Sequence, residues 1–502
     1  MHIVLVQLPF PILSEEPRHL SPPLGLAYMA SGLKKAGCNV EIFDTVLEGY
    51  HQEWSFAGNS TAYGLDPDTI ATHLAECNPD IVGLSCLFSS QDVILRKVAA
   101  AIRDRMPKAT IVCGGTHPTV FARQMIAEGL ADFVVRGEGE LAIISLTQAL
   151  SRSGDFAEVS GLVWRQGSEI LENAVSRIDL LELLPLPARD CMNLLAYSAT
   201  GIMHGESRSD VPATTIVTSR GCPGQCTFCS IHPVWGHRFR AASADRVLTE
   251  ISELYHHFGI RHLLIEDDNF TFDQNRAKRI LRAISQHFPD LTWSAPNGVA
   301  IWRLDEELIQ LISQTGCRRL SLAVESGCPD TLAQLINKPL SLDQVEKVVR
   351  LCRRHGVRTT AFFVLGMPGE TRDAMVESMN FAARLDVDTL TVMNAVPLPG
   401  SPLYDTARIN GFMDPDTPFV AFATRNPIMT TSDFDPAWVD GLARRTMVRH
   451  AARHPMAYFR RIVEKMQAAP VSTMRALFNF FIALLRSRTC NEKVSAVGSS
   501  NR

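Results

Sequence analysis

Three cysteines stand close together in the middle of the chain, with the spacing C-x3-C-x2-C. Thiolates this close in sequence can surround one compact inorganic centre. A structural zinc site uses four protein ligands, and His232 or His237 would have to supply the fourth. A [4Fe-4S] cluster held by Cys222, Cys226 and Cys229 keeps one iron free for a substrate or cosubstrate. The pattern favours this catalytic cluster over structural zinc or three unrelated thiols.

The elements that must position these thiols form a repeating strand–helix series over residues 213–400. The predicted strands cover residues 214–219, 262–266, 292–295, 319–324, 359–365 and 389–395. The predicted helices cover residues 243–258, 273–287, 305–315, 341–355 and 370–384. Six parallel strands with outer helices predict a partial (β/α)6 barrel, whose functional residues belong at the carboxyl ends of the strands. The cysteines follow the first of these strands.

A second strand–helix series occupies residues 1–150. Its predicted strands cover residues 3–8, 40–43, 80–85, 110–113 and 132–136, and its predicted helices cover 24–36, 67–77, 93–106, 121–128 and 141–151. Short apolar strands separated by helices predict an α/β fold with a doubly wound parallel sheet. Ligands of such sheets bind at the carboxyl ends of the strands. Those ends carry residues 9–11, 85, 114–118 and 137–140.

The remaining segments follow neither series. Residues 151–212 predict a hairpin at 161–173 followed by a proline-rich linker. Residues 401–490 predict a helical region with helices at 438–450, 456–466 and 474–486, and the polar residues 491–502 predict disorder. The apolar run 476–485 stands among arginines, which is typical of a peripheral membrane contact or of a helix packed on the barrel. We prefer the second interpretation, in which this segment is a helix packed on the barrel.

Composition and simple sequence patterns exclude several classes of protein. The formal net charge of −4 gives no electrostatic footprint for nucleic acid. The N-terminus predicts a first strand rather than a signal peptide, and no run reaches the ~20 apolar residues of a spanning helix. Twelve cysteines in 502 residues do not form a secreted disulfide framework. Free thiols indicate a reducing compartment, so we expect a cytoplasmic protein.

The cysteine spacing, placed after the first strand of a partial barrel, resembles the radical S-adenosylmethionine superfamily over residues 214–400. The resemblance implies that S-adenosylmethionine binds the open iron and that its reductive cleavage yields a hydrogen-abstracting radical. The contacts it implies are Phe228 and Gly366 at the adenine, Glu266 and Asp268 at the methionine amino group, and Glu325 and Ser326 at the ribose or carboxylate. No side chain is assigned as a catalytic acid or base.

The N-terminal sheet resembles that of the cobalamin-binding subfamily. A flat corrin needs small residues where the backbone approaches it. The implied cobalamin contacts are Pro22, Leu24, Ser85, Gly114, Gly115, Thr116, His117, Gly137, Glu138 and Gly139. The chain has no Asp-x-His-x-x-Gly pattern, and His117 is interpreted as a structural contact rather than a cobalt ligand. A sheet of this kind can also bind flavin or no cofactor.

Together the two resemblances imply a cobalamin-dependent radical methyltransferase, similar to class B of these enzymes. Residues 63–68, 80–85, 300–307 and 323–327 resemble C-methylases of this subfamily. The implied reaction methylates an unactivated carbon of a small-molecule or lipid-like intermediate, with electrons from a partner such as flavodoxin or ferredoxin. The alternatives are a rearrangement, cyclisation or oxidation without methyl transfer, and a binding module or redox sensor that holds a cluster or zinc.

Overall fold

The computed structural model describes residues 1–12, 18–58, 60–152, 154–200, 202–204, 211–423, 428–468 and 474. The predicted apolar helix 474–486, apart from Met474, and the predicted disordered tail 491–502 lie outside these residues. Among the described helices, none is both long enough and apolar enough to cross a bilayer.

The first sheet has seven strands in the described part of the chain. They are β1 (His2–Gln7), β3 (Asn39–Asp44), β6 (Ile81–Ser85), β7 (Thr110–Gly114), β8 (Phe133–Val135), β9 (Leu162–Gln166) and β10 (Glu169–Glu172), in the order β10-β9-β8-β7-β6-β1-β3. The pairs from β3 to β8 are parallel, and those from β8 to β10 are antiparallel. The predicted hairpin therefore continues this sheet past residue 150.

Helices cover both faces of the first sheet. They are α1 (Leu24–Lys35), α2 (Thr45–Glu48), α3 (Pro67–Cys77), α4 (Asp92–Arg105), α5 (Thr116–Ala127) and α6 (Gly139–Arg152). Residues of α3, α4 and α5 share one apolar core with the sheet, and residues of α1 and α6 share another. The predicted doubly wound sheet is thus confirmed, because helices pack apolar side chains against both of its faces.

Two local features of this domain differ from prediction. A small antiparallel sheet of β2 (Phe10–Pro11), β4 (Glu53–Ala57) and β5 (Ser60–Tyr63) was not predicted, since β4 and β5 mix polar and apolar residues. Helix α5 begins five residues before the predicted start at 121, directly after Gly115. Gly115 has a φ of 111°, and a Cβ there would lie 2.4 Å from the Cys86 carbonyl oxygen. The early start is compatible with Pro118, because proline is tolerated in a first helical turn.

The second sheet has six parallel strands within the described residues. They are β11 (Ala213–Ile216), β14 (His262–Ile265), β15 (Thr292–Ala295), β16 (Cys317–Glu325), β17 (Thr359–Leu365) and β18 (Thr389–Asn394), in chain order across the sheet. The outer helices are α9 (Ala244–His256), α10 (Gln274–His287), α11 (Glu306–Gln314), α12 (Leu342–Arg354) and α13 (Arg372–Arg384). A Ser, Asp or Thr side chain caps the N-terminus of each of these helices. The partial barrel is confirmed.

Smaller elements join and close the two sheets. Helix α7 (Leu194–Thr200) lies in the connection, and a ribbon of β12 (Ser219–Arg220) and β13 (Arg240–Ala241) flanks the cysteines together with α8 (His232–Trp235). The C-terminal helices are α14 (Pro402–Ile409), α15 (Pro436–Arg453) and α16 (Pro455–Ala468).

Helix α15 is anchored to the barrel through a buried histidine. The two ring nitrogens of His450 lie 3.1 Å from the Tyr458 hydroxyl and 3.2 Å from the Leu385 carbonyl oxygen. Desolvation, with a smaller contribution from His454, lowers the pKa of His450 to about 4. The folded protein therefore holds this imidazole neutral.

This histidine should make stability fall in mild acid. Because its folded pKa lies below the ordinary value of about 6.5, its contribution is complete above that pH and is lost as pH falls toward 4. We expect urea-unfolding midpoints of His450→Gln to depend less on pH between about 4 and 6.5 than those of the native protein. His287→Gln, at an exposed histidine, is the matched control. Equal slopes for His450→Gln and the native protein would contradict this role.

Candidate functional site

The three cysteines lie in the loop between β12 and α8, where the structure leaves all of them half-buried and unpaired. Burial, the largest cause, raises the pKa of Cys226 to about 11 and of Cys229 to about 12. The charges of Cys226, Asp268 and Cys222 raise the pKa of Cys229 further. These thiols keep their protons until a metal cation binds the sulfur atoms, because metal coordination deprotonates a thiol. The donor set fits a metal cluster.

Polar groups hold the first cysteine. The Asn269 side-chain amide donates to Cys222 Sγ at 2.7 Å, and the Gly224 amide donates to the same sulfur at 3.4 Å. Hydrogen bonds to a cluster sulfur are among the means by which proteins adjust its potential. Sequence analysis did not single out Asn269 in this role, although this residue directly follows Asp268 after the second barrel strand.

Three consecutive acidic residues after β14 have different environments. Asp267 is buried and accepts hydrogen bonds from Thr218 and Ser219, so it holds the start of the cysteine segment. Burial, followed by the charge of Asp267, raises the pKa of Asp268 to about 7. Glu266 lies nearer solvent, with its carboxylate 2.9 Å from His204 Nδ1.

At the end of β16, a lysine that sequence analysis missed joins the site. Lys338 Nζ donates to Glu325 Oε1 at 2.8 Å and to the Ala323 carbonyl at 2.6 Å, and both charged side chains are largely buried. Glu325 takes a φ of 68°, which is uncommon outside glycine. The charge of Lys338 also lowers the pKa of Cys226 against the effect of burial. The lysine thus adds positive charge next to the thiols.

The prediction for Ser326 needs correction. Its side chain is fully buried, and its hydroxyl accepts a hydrogen bond from the Cys328 amide at 3.1 Å. It therefore shapes the turn after β16 and is not available to a ligand. Two other predicted residues lie near each other: Phe228, which is half-buried, packs in one apolar cluster with Met367, and the buried Gly366 precedes Met367.

The loop of Gly366 is held by a buried carboxyl. Glu370 Oε2 accepts hydrogen bonds from the amides of Gly366 and Met367, at 2.8 and 3.1 Å. Burial raises the pKa of Glu370 to about 7. Gly366 itself has a φ of 83°, so glycine suits this turn.

The carboxyl edge of the first sheet brings several predicted cobalamin contacts together. Ser85 and Gly114 are direct neighbours on β6 and β7. A Cβ on Gly114 would meet nothing closer than 3.9 Å, so this backbone is open to a ligand. Leu87 and Phe88, which follow Ser85, are 44% and 57% exposed. An open glycine beside exposed apolar side chains fits the flat, largely apolar face of a corrin.

Two other predicted glycines of this edge, Gly137 and Gly139, allow close packing inside the protein. A Cβ on Gly137 would lie 2.8 Å from Val175, and one on Gly139 would lie 3.1 Å from Met29 Sδ. Thr116 lies in the first turn of α5 instead of a loop. Pro22 and Leu24 are buried at the start of α1. These positions shape the edge more than they face a ligand.

His117 is engaged on both sides of its ring. Nδ1 lies 3.0 Å from Ser89 Oγ and Nε2 lies 3.0 Å from Asp92 Oδ1, and the side chain is 1% exposed. Arg96 in turn donates to Asp92. The ring has no free nitrogen for cobalt, in agreement with its interpretation as a structural contact.

Glu138 also needs correction, because it binds the barrel rather than facing a ligand. Its side chain is 0% exposed and accepts from Arg220 Nη1 at 2.6 Å, Arg240 Nη1 at 2.7 Å and the Ile178 amide at 3.0 Å. Arg220 Nη2 also donates to Glu140 Oε1 at 2.5 Å. Burial opposes the charge of Arg220, but Glu140 and Glu138 raise its pKa overall. We call these four charged residues the interdomain ion-pair network.

The network connects the two candidate cofactor regions directly. Arg220 is two residues before Cys222, and Glu138 stands between Gly137 and Gly139. The guanidinium of Arg220 also lies over the Trp235 ring at 4.8 Å. The cysteine loop of the barrel and the glycine edge of the first sheet are therefore joined at one interface.

Comparison with known proteins agrees with this arrangement. Residues 216–382 match the radical SAM superfamily and residues 12–147 match the B12 binding domain. The chain is 30% identical to cytidylyl-2-hydroxyethylphosphonate methyltransferase of Streptomyces wedmorensis, over 78% of this chain and 79% of that one. It is 23% identical to hopanoid C-3 methylase of Methylococcus capsulatus, over 76% and 68%.

Solved structures show the same fold. The radical S-adenosylmethionine methyltransferase TsrM from Kitasatospora setae, with cobalamin and a [4Fe-4S] cluster bound, superposes with a TM-score of 0.64 at 20% identity. The match covers 87% of this chain and 80% of TsrM. The order of a B12-type sheet followed by a radical barrel is common to both.

Removing one carboxylate from the interdomain ion-pair network should destabilise the protein strongly. Glu138→Gln leaves Arg220 and Arg240 buried without their shared anion, and breaking a buried pair costs about 3–5 kcal/mol. Urea unfolding measures this loss. Arg238→Ala, which breaks the exposed pair with Asp179, should change stability by no more than about 1 kcal/mol. Similar small losses for both variants would contradict the role of the network.

Proposed function

Since this chain belongs to the cobalamin-dependent radical S-adenosylmethionine methyltransferases, we propose that Cys222, Cys226 and Cys229 hold its [4Fe-4S] cluster. We further propose that its substrate is a small-molecule or lipid-like biosynthetic intermediate, methylated at an unactivated carbon. The observation that carries the proposal is the interdomain ion-pair network, which joins the cysteine loop to the glycine edge.

The chain's own residues position the reactants. When bound, the cluster with S-adenosylmethionine supplies a hydrogen-abstracting radical, and the cobalamin supplies the methyl group. Cys222 is oriented by Asn269, while Lys338 places a cation beside Cys226. Burial of the interdomain ion-pair network removes water from that interface, which protects reactive species.

We assign the mouth of the barrel to S-adenosylmethionine. The side chains of Glu266, Asp268 and Glu325 offer carboxylates there, Phe228 offers an apolar ring, and Gly366 offers the backbone of a glycine turn. The open backbone of Gly114, with Ser85, Leu87 and Phe88, is the proposed surface for cobalamin. Because His117 is bound to Ser89 and Asp92, we propose that it does not ligate cobalt.

We keep the predicted division of the chain as a proposal. The regions are a cobalamin-binding domain at 1–150, a hairpin and linker at 151–212, a barrel at 213–400, helices at 401–490 and a tail at 491–502. The free cysteines of the described residues suit a reducing, cytoplasmic setting. We also propose a flavodoxin or ferredoxin as electron donor and no nucleic-acid partner. Membrane contact through 476–485 stays a prediction.

The reaction class can be tested before the substrate is known. Protein purified anaerobically with cobalamin should contain about four irons and one corrinoid per chain. With methyl-labelled S-adenosylmethionine and a strong reductant, we expect both S-adenosylhomocysteine and 5′-deoxyadenosine. A cobalamin-dependent rearrangement, cyclisation or oxidation would give no S-adenosylhomocysteine. That result, from corrinoid-replete protein, would overturn methyl transfer.

The cluster ligands have their own test. Cys222→Ala, Cys226→Ala and Cys229→Ala should each lose most of the iron and the cleavage of S-adenosylmethionine, because three thiolates leave no spare ligand. Cys191→Ala removes a half-buried thiol in the connecting segment and should keep about four irons. Iron and sulfide analysis of anaerobically reconstituted protein measures the effect. Full iron content in any of the three loop variants would contradict the assignment.

A further inference from the structure

A second group of metal-ligand side chains lies on the first domain, and the cofactor chemistry does not use it. His73 and Cys77 are four residues apart on α3, so they share one face of that helix. Glu41 lies on β3, the edge strand beside α3. The ring of His73 packs on Phe43 with centroids 4.1 Å apart, which orients it toward the strand.

The distance between His73 and Glu41 is longer than an ordinary hydrogen bond and suits two ligands of one metal ion. His73 Nε2 lies 3.4 Å from Glu41 Oε1 and 3.5 Å from Cys77 Sγ, and the three ligand atoms lie within 4.8 Å of one another. Ideal N–H···O bonds span about 2.7–3.2 Å. Moreover, the single Nε2 carries either a proton or a lone pair, so it cannot donate to the carboxylate and accept from the thiol together.

The same distances match the edges of a zinc tetrahedron. With Zn–N and Zn–O of about 2.0–2.1 Å and Zn–S of about 2.3 Å, tetrahedral geometry separates N from O by about 3.4 Å and N from S by about 3.5 Å. Thiolate and imidazole select zinc over magnesium or calcium.

We propose that Glu41, His73 and Cys77 bind a zinc ion that ties α3 to the edge strand β3, with water in the fourth position. The edge strand has a neighbour on one side only, and a bond across to α3 would fasten it. The proposal is independent of the methyltransferase reaction. It concerns a metal site at the β3 edge of the first sheet, at the other end of the strand order from the β9–β10 hairpin.

The test uses the full chain, purified anaerobically with its iron complement intact and dialysed against micromolar zinc with a weak competing chelator. We expect about one zinc per chain. Its extended X-ray absorption fine structure should show one sulfur at about 2.3 Å and the remaining ligands at about 2.0–2.1 Å. Cys77→Ser and His73→Asn should each weaken zinc binding at least about tenfold. Cys38→Ser, which removes another half-buried thiol just before β3, should leave it unchanged.

Further measurements guard against misfolding and against zinc in the cysteine loop. If Cys77→Ser does not fold, Glu41→Gln takes its place, and zinc should raise the thermal midpoint of the native chain more than that of the variant. Zinc should also persist when Cys222, Cys226 and Cys229 are all replaced by Ala. Absence of zinc from the native chain, its loss in that triple variant, or its full retention in both His73→Asn and the Cys77 or Glu41 variant would overturn the proposal.

Discussion

The burial of four charges between the two α/β domains is the constraint on which the rest of the structure depends. Arg220 and Arg240 come from the ribbon beside the cysteine loop, and Glu138 and Glu140 come from the turn that starts α6. Charges removed from water are tolerated only with close partners of opposite sign. The two domains therefore cannot slide or separate here without leaving an ion unpaired. The network therefore sets the relative placement of the two domains next to the candidate cofactor residues of each.

That placement has a direct chemical meaning. A radical formed at the barrel and a methyl group carried on the first sheet must meet at one substrate carbon, and such encounters depend strongly on geometry. Arg220 is covalently close to Cys222, and Glu138 is flanked by two glycines of the edge. The connecting segment adds a second buried bond of the same kind, since Arg189 donates to Glu250 of α9 at 2.7 Å. This contact holds the described part of the connecting segment against the barrel.

Local pattern was sufficient for most of the architecture. The six barrel strands were predicted because each is a short apolar run bounded by polar or glycine residues, and the strands Thr292–Ala295 and Thr359–Leu365 have the predicted bounds. The start of α5 was placed at residue 121, where the helix has a kink at Phe121, although Pro118 fits a first helical turn. The small sheet of β2, β4 and β5 was missed because β4 and β5 mix polar and apolar residues and lack a continuous apolar run.

The sequence by itself determined the cysteine spacing, the two strand–helix series and the glycines after the strands, since each of these is a property of neighbouring residues. Only the tertiary structure decided which polar residues face the site. Glu138 proved to bind Arg220, 82 residues away, and Lys338 proved to accompany Glu325 beside Cys226. A charged residue after a strand has the same local signature whether it meets a ligand or another domain. Its partner is chosen by packing between distant segments, which spacing along the chain does not encode.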